Sequence, residues 1–291
     1  FGWRWFCINR FLKKSNLEHK KIDYMEKDNK ISPNLKENIK YFKEQFSESI
    51  DLTIREFTVN GTAAAVITIE GMINKEVLAS SVINPIVRAN LPYEKDGQEK
   101  FNYMKENVLS TNEQVDVTSY QSAFSLVMSG FALITFDQCP TMLAIGIQGF
   151  MIRGISEPEA EVMQKGSREG FIEAVRINMS LIRRRIKNPK LKFETMKVGK
   201  VSQTEICLCY LTDKVAPEIL NEIKTRLKNT NLEHVLAAEY LVPYLEKEGD
   251  KSLFSGIGLT ERPDTVCGKI SEGRVAILID GTPNALIVPF L

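Results

Sequence analysis

The sequence predicts an α/β protein of two similar lobes, each a mixed β-sheet with flanking helices, produced by an internal duplication. Three observations lead there. The 291 residues, 43% of them hydrophobic, are more than one ordinary core accommodates and point to two domains. Short runs that alternate apolar and polar side chains, or are apolar throughout, are interleaved with stretches of helical spacing. The order of these elements occurs twice, and two separate stretches match residue by residue at nearly one offset.

In the first half, Leu35, Ile39, Phe42 and Phe46 predict a helix over 35–49, with Ser32 as N-cap and Pro33 in the first turn. Residues 52–59 alternate, Asn60-Gly61 supplies a tight turn, and 63–69 are apolar, which reads as a hairpin. Helical patterns follow over 75–89, 98–108 and 120–128. Residues 131–136 and 142–147 close the half as a hairpin through the turn Asp137-Gln-Cys-Pro140. The second half repeats this order: a helix over 170–186, a strand over 191–198, a turn at Gly199-Lys200, and a strand over 204–211. Helices near 217–227, 234–247 and 265–271 follow, then the hairpin 274–279 and 285–288 around Asp280-Gly-Thr-Pro283.

Ile69, Ile73, Glu76, Val77 and Leu78 match Leu211, Val215, Glu218, Ile219 and Leu220 at an offset of 142, and Gly130, Asp137 and Pro140 match Gly273, Asp280 and Pro283 at 143. The lobes are therefore assigned to 31–150 and 167–291, with an arm over 1–30 and a linker over 151–166. In the linker, Gly154 and Pro158 break regular structure, while Glu157, Glu159 and Glu161 keep the segment solvated. The arm opens with Phe1-Gly-Trp-Arg-Trp-Phe-Cys-Ile8, too aromatic for a secretory signal. Its charges Arg10, Lys13, Lys14, Lys20 and Lys21 suit either a solvated arm or contact with an anionic membrane surface. A first residue other than Met and an apolar last stretch over 284–291 are what a fragment is expected to show.

Composition argues against several classes of function. With 38 Lys and Arg against 37 Asp and Glu, the net charge of +1 is not that of a nucleic-acid binder. Cys7, Cys139, Cys207, Cys209 and Cys267 are odd in number and scattered, as expected of buried thiols in a reducing compartment. The only histidines, His19 and His234, stand apart from other ligand types, so no metal site is expected. Gly256-Ile-Gly258 lacks the rest of a nucleotide loop, and no P-loop, serine elbow or cysteine–base pair is present. No catalytic residue, cofactor or metal ligand is assigned, and an enzyme is not expected.

The remaining charged motifs each have two readings. Arg183-Arg-Arg-Ile-Lys187 ends a helix, where cations complement the macrodipole; with Lys190 and Lys192 it also suits a partner or a lipid headgroup. Ser167 caps the helix that follows or, with the next amides, binds an anion. Thr260-Glu-Arg-Pro-Asp264 forms a cap with an ion pair or a contact between lobes. Asp137 and Asp280 are expected to cap the amides of their own hairpin turns.

Taken together, Glu157-Pro-Glu-Ala-Glu161, Gly166-Ser-Arg-Glu-Gly-Phe171, Asn178, Leu181-Ile-Arg-Arg-Arg185, Thr260-Glu-Arg-Pro-Asp264 and Glu272-Gly-Arg-Val-Ala-Ile-Leu-Ile-Asp-Gly-Thr-Pro283 resemble the A subunit of GerA-type spore germinant receptors. The likeness is strongest from Glu157 onward, continues in register from about Leu35, and is absent from the first thirty residues. One departure is Lys165-Gly-Ser-Arg168, where the family usually has Arg-Gly-Pro-Arg, so this turn is expected to be less rigid.

The resemblance implies a soluble N-terminal domain, on the cytoplasmic side of the spore inner membrane, followed by membrane-spanning helices absent from this stretch. It implies B and C subunits as partners, self-association of the full-length protein, and a role in coupling a nutrient germinant to ion release. Within that role, Arg168, Glu169, Arg183, Arg184, Arg185, Glu261, Arg262 and Asp264 are the candidates for interface or coupling contacts, as exposed charges on helix ends and loops. The alternative is a germinant-binding module whose cleft between the lobes closes on a small molecule, as in hinged binding proteins.

Overall fold

Residues 29–90, 97–149, 161, 167–246 and 256–290 are described in a computed structural model of the chain. The arm up to residue 28, nearly all of the 151–166 linker and most of its acidic motif lie outside them. The first lobe runs α1 (Leu35–Gln45), β1 (Leu52–Val59), β2 (Thr62–Ile69), a helical segment α2, α3 (Gly97–Asn107), β3 (Gln114–Val117), α4 (Tyr120–Val127), β4 (Phe131–Phe136) and β5 (Met142–Gly146). Segment α2 joins Lys75–Val77, a π-helical stretch Leu78–Ile83 and Asn84–Arg88. The second lobe runs α5 (Val175–Arg185), β6 (Leu191–Val198), β7 (Thr204–Leu211), α6 (Pro217–Lys228), α7 (Val242–Leu245), β8 (Gly258–Thr260), α8 (Pro263–Ser271), β9 (Val275–Ile279) and β10 (Ala285–Val288).

Each lobe holds a five-stranded sheet, ordered β1-β2-β4-β5-β3 and β6-β7-β9-β10-β8. The two orders are the same once strands are counted within each lobe, so the duplication extends to topology. The two α/β lobes stand as expected, but their sheets are antiparallel at every described pairing rather than mixed. Unbroken apolar strands such as Phe131–Phe136 are usual in parallel sheets covered on both faces. Here helices cover both faces of an antiparallel sheet. Residues Ile83, Ile86, Phe101 and Met104 of α2 and α3 fill one side of the first sheet, and Phe42, Ala123 and Val127 of α1 and α4 fill the other. In the second lobe α5 and α8 supply Val175, Met179, Val266 and Ile270, opposite Ile223, Leu227 and Leu245 of α6 and α7. Each fully buried Val, Leu, Ile, Phe or Met among them contributes about 1.5–3 kcal/mol.

Several boundaries differ from expectation for local reasons. The cap of α1 is Asn34, whose Oδ1 accepts from the Lys36 N–H at 2.9 Å, while Ser32 donates to Glu37 at 2.6 Å. This helix stops at Gln45 because Ser47 and Glu48 turn to φ 50° and 54°. The helix expected over 170–186 begins only at Val175, with residues 170–174 outside regular structure. The pattern over 234–247 shortens to a 3-10 turn, Ala238–Leu241, and one helical turn, since Pro243 lacks an N–H for a longer ladder. Strands β3 and β8, of four and three residues, have no counterpart in the sequence-based assignment.

The lobes repeat individual bonds as well as strand order. Asn38 clasps the Ser32 backbone, donating to its carbonyl at 2.8 Å and accepting from its N–H at 3.2 Å; Asn178 clasps Ile172 at 2.5 and 2.9 Å. Asp137 accepts from the Leu35 N–H at 3.0 Å, and Asp280 from the Val175 N–H at 3.1 Å. Each hairpin aspartate thus caps the first helix of its lobe rather than the amides of its own turn, supplying an acceptor for an N–H that the helix leaves unpaired. Gly130 and Gly273 adopt φ 89° and 92°, and a Cβ on either would lie 2.7 Å from a carbonyl oxygen, of Met72 or Lys214.

Candidate functional site

The motifs of the second lobe meet at one end of the α5–α8 pair. The Phe171 N–H donates to the Glu261 carbonyl at 2.8 Å, which ties the segment before α5 to the loop before α8. On that segment Glu169 accepts from Arg184 at 2.8 and 3.1 Å and from Arg185 at 2.5 Å, while Arg185 also donates to Ser167 at 3.1 Å. Burial works to raise the Glu169 carboxyl, but the two guanidinium groups outweigh it and hold it below the usual range. Arg185 also faces α8: burial pushes the Cys267 thiol up to about 12, against the pull of the arginine charge.

Across the loop, Arg262 is 8% exposed and its guanidinium grips Asp264 through Nε at 3.1 Å and through Nη2. Burial raises the Asp264 carboxyl, yet Arg262 and the Thr265 N–H prevail and lower it. The buried Thr260 hydroxyl donates to Glu161, from the linker, at 2.7 Å and accepts from the Arg262 N–H at 3.1 Å. Carboxylates held ionised against guanidinium groups make positional contacts; general acids require the opposite shift.

Arg183 lies elsewhere. It is fully buried and forms a bidentate pair with Asp51 of the first lobe, at 2.7 and 2.9 Å. Its remaining donors reach the Asn188 and Leu191 carbonyls, both at 3.0 Å. The macrodipole reading therefore captures part of its environment, the carbonyls just past the helix, and misses the partner lobe. Further contacts surround this pair. The Ile50 N–H donates to the Phe193 carbonyl at 3.3 Å, Arg176 spans Glu70 at 3.5 Å and Glu205 at 2.7 Å, and Lys187 donates to Ser129 at 3.0 Å.

Of the eight candidate residues, Arg184, Arg185, Glu169, Arg262 and Asp264 belong to the two ion pairings, and Glu261 joins them through its backbone. Arg168 is exposed on the same segment before α5. The expectation of exposed charges is corrected for Arg183 and Arg262, which are buried at 0% and 8%. The predicted cap role of Ser167 is also corrected, because its hydroxyl serves Arg185 and the Glu169 N–H several residues before α5 begins. Sequence reasoning passed over Asp51, Ser49 and Thr260; only Thr260 lies in a recognised motif. An open groove of about 580 Å³ lies on the first lobe beside α1, lined by Lys36, Ile39, Lys40, Lys43, Glu44 and Glu56, and involves no second-lobe residue.

Among the described residues no helix is long and apolar enough to cross a membrane. Residues 40–291 match the family described as Bacillus/Clostridium GerA spore germination protein. The chain is 36% identical over 264 residues to spore germination protein KA of Bacillus subtilis (strain 168), covering 90% of this chain and 48% of that protein. It is 32% identical to the uncharacterized membrane protein YfkQ of the same organism, covering 90% and 50%. The chain thus spans about half the length of these relatives. The crystal structure of the N-terminal domain of the A subunit of the Bacillus megaterium spore germinant receptor GerK3 superposes with a TM-score of 0.71 at 29% identity, covering 90% of this chain and 97% of that one. A family match over most of the chain, on a fold shared with a germinant receptor A-subunit domain, means that this chain belongs to the GerA family of spore germination proteins.

Proposed function

We propose that this chain is the N-terminal domain of a germinant receptor A subunit and that it acts in assembly and coupling, without chemistry of its own. In this reading it works beside B and C subunits at the spore inner membrane, on the core side, and passes the germinant signal towards ion release. The observation that supports it is the convergence of Ser167–Phe171, Arg184–Arg185 and Thr260–Asp264 on one end of the second lobe, in a partly exposed network of arginines and carboxylates. Such a surface suits a polar contact with another subunit, where charged rims set register and partner choice.

The test replaces Glu261 or Arg262 by Ala in the full-length receptor. Germination in response to nutrients is expected to fall severely, with the thermal midpoint of the isolated domain changed by only a few degrees. Loss of the folded domain itself would assign the motif to stability and remove the support for coupling. Titration of the domain with amino acids, sugars and salts addresses the germinant-binding alternative, because a ligand that binds only the folded state raises the midpoint as it saturates.

A further inference from the structure

We propose that Arg183, Asp51 and Ser49 form a fixed joint that makes the two lobes one non-hinging body. The inference rests on geometry alone and stands or falls separately from the receptor reading. Arg183 closes α5 of the second lobe, whereas Ser49 and Asp51 precede β1 of the first. The Arg183 and Asp51 side chains are 0% and 3% exposed, and the pair is bidentate. Ser49 completes the site, donating to Asp51 at 2.6 Å and accepting from the Phe193 N–H of β6 at 2.9 Å. The guanidinium lies between rings of both lobes, 4.9 Å from the Phe193 centroid and 5.8 Å from that of Phe46. Every polar group at this point is therefore satisfied by the other lobe or by the turn beside it.

A hinge needs contacts that separate at low cost. Opening this one would break the bidentate pair, the Phe193 N–H bond to Ser49, the Ile50 N–H bond to the Phe193 carbonyl and the Arg183–Phe46 ring contact together. The approach is close elsewhere too: a Cβ on Gly71, just past β2, would lie 2.9 Å from the Ser180 Cβ of α5. The repeat supplies an internal control. The residue of α1 that matches Arg183, two positions before the helix end, is Lys43, and it is exposed. The duplicated scaffold leaves the matching cation in solvent, so the burial of Arg183 answers to the junction. Motion of either lobe is then passed to the other as rotation of the whole, with no closure around a ligand at this contact.

The test places donor and acceptor dyes on cysteines introduced at Glu56 and Lys228, in a chain carrying Cys7→Ser, and reads the distance distribution molecule by molecule alongside scanning calorimetry. The parent chain is expected to show one narrow distance population, unmoved by amino acids, sugars or salts, and one unfolding transition. Asp51→Asn, which keeps the shape but removes the charge, and Arg183→Met are expected to broaden the distribution and split unfolding into two steps. A broad or solute-dependent distribution in the parent chain, or two transitions there, overturns the joint. So does an Asp51→Asn chain identical to the parent, and this milder variant decides the matter if Arg183→Met does not fold.

Discussion

The α1–α4 seam of the first lobe and the α5–α8 seam of the second occupy the same place in a repeated fold, yet they are made of different chemistry. The first is aromatic and neutral. Tyr41 and Tyr120 lie 4.4 Å apart, Phe42 and Phe124 5.0 Å apart, and the Tyr120 hydroxyl donates to Asn38 at 2.5 Å. The second is ionic, with Glu169 between Arg184 and Arg185, and Arg262 standing where Ser119 caps α4. What both lobes retain is the set of residues that fixes the backbone: Asn38 and Asn178, Asp137 and Asp280, Gly130 and Gly273. The scaffold was kept while the seam diverged, and most of the motifs that mark the family fall on the diverged ionic seam.

The largest expected effects test the retained set. Gly130→Ala and Gly273→Ala each force an L side chain to φ near 90° and push a Cβ into a carbonyl oxygen, so each should cost about 3 kcal/mol or more in denaturant unfolding. Equal costs in the two lobes would support a shared backbone constraint; a large difference would break the equivalence. Asn38→Ala and Asn178→Ala sharpen it further. Asn178→Ala leaves the Ile172 N–H and C=O unpaired, worth about 2 kcal/mol; Asn38→Ala leaves the Ser32 C=O and the Tyr120 hydroxyl without Asn38 while the Ser32 N–H keeps its 3.3 Å bond to that hydroxyl, so the two losses should be similar.

The parts of this comparison that could be read in advance are those with a local pattern. Alternation or unbroken apolar runs placed Leu52–Val59, Leu191–Val198, Thr204–Leu211 and Phe131–Phe136 where they stand. Edge strands β3 and β8 were missed because three or four residues carry no usable period, and neither is buried along its whole length. The repeat itself was only partly visible. Asn38 and Asn178 are 140 positions apart, whereas the later strands match at 142 and 143, because the tight Asn60-Gly61 turn becomes the longer loop over 199–203. The joint left no local sign at all. Arg183 has the sequence context of an ordinary helix-end cation, and its partner Asp51 lies 132 positions away, within an unrelated turn.

A smaller effect separates the two seams by pH. Glu169 and Asp264 are both lowered in the folded protein, burial opposing and their arginine partners prevailing. A carboxylate with a depressed folded pKa contributes stability that is fully present above its unfolded value, 4.5 for Glu and 3.8 for Asp, and is lost as pH falls through the folded value. The α1–α4 seam has no such dependence, since the Tyr120 phenol, raised chiefly by burial, stays protonated throughout the acid range. Acidification from pH 5 towards 3 should therefore loosen the α5–α8 seam first. The pairs are partly exposed and each is worth at most about 1 kcal/mol. Glu169→Gln should lower the thermal midpoint slightly at pH 7 and flatten its fall below pH 4.5, with hydrogen exchange in α5 following the same course. Acid loosening that begins instead in α1 and α4 would mean that the ionic seam is not what distinguishes the second lobe in acid.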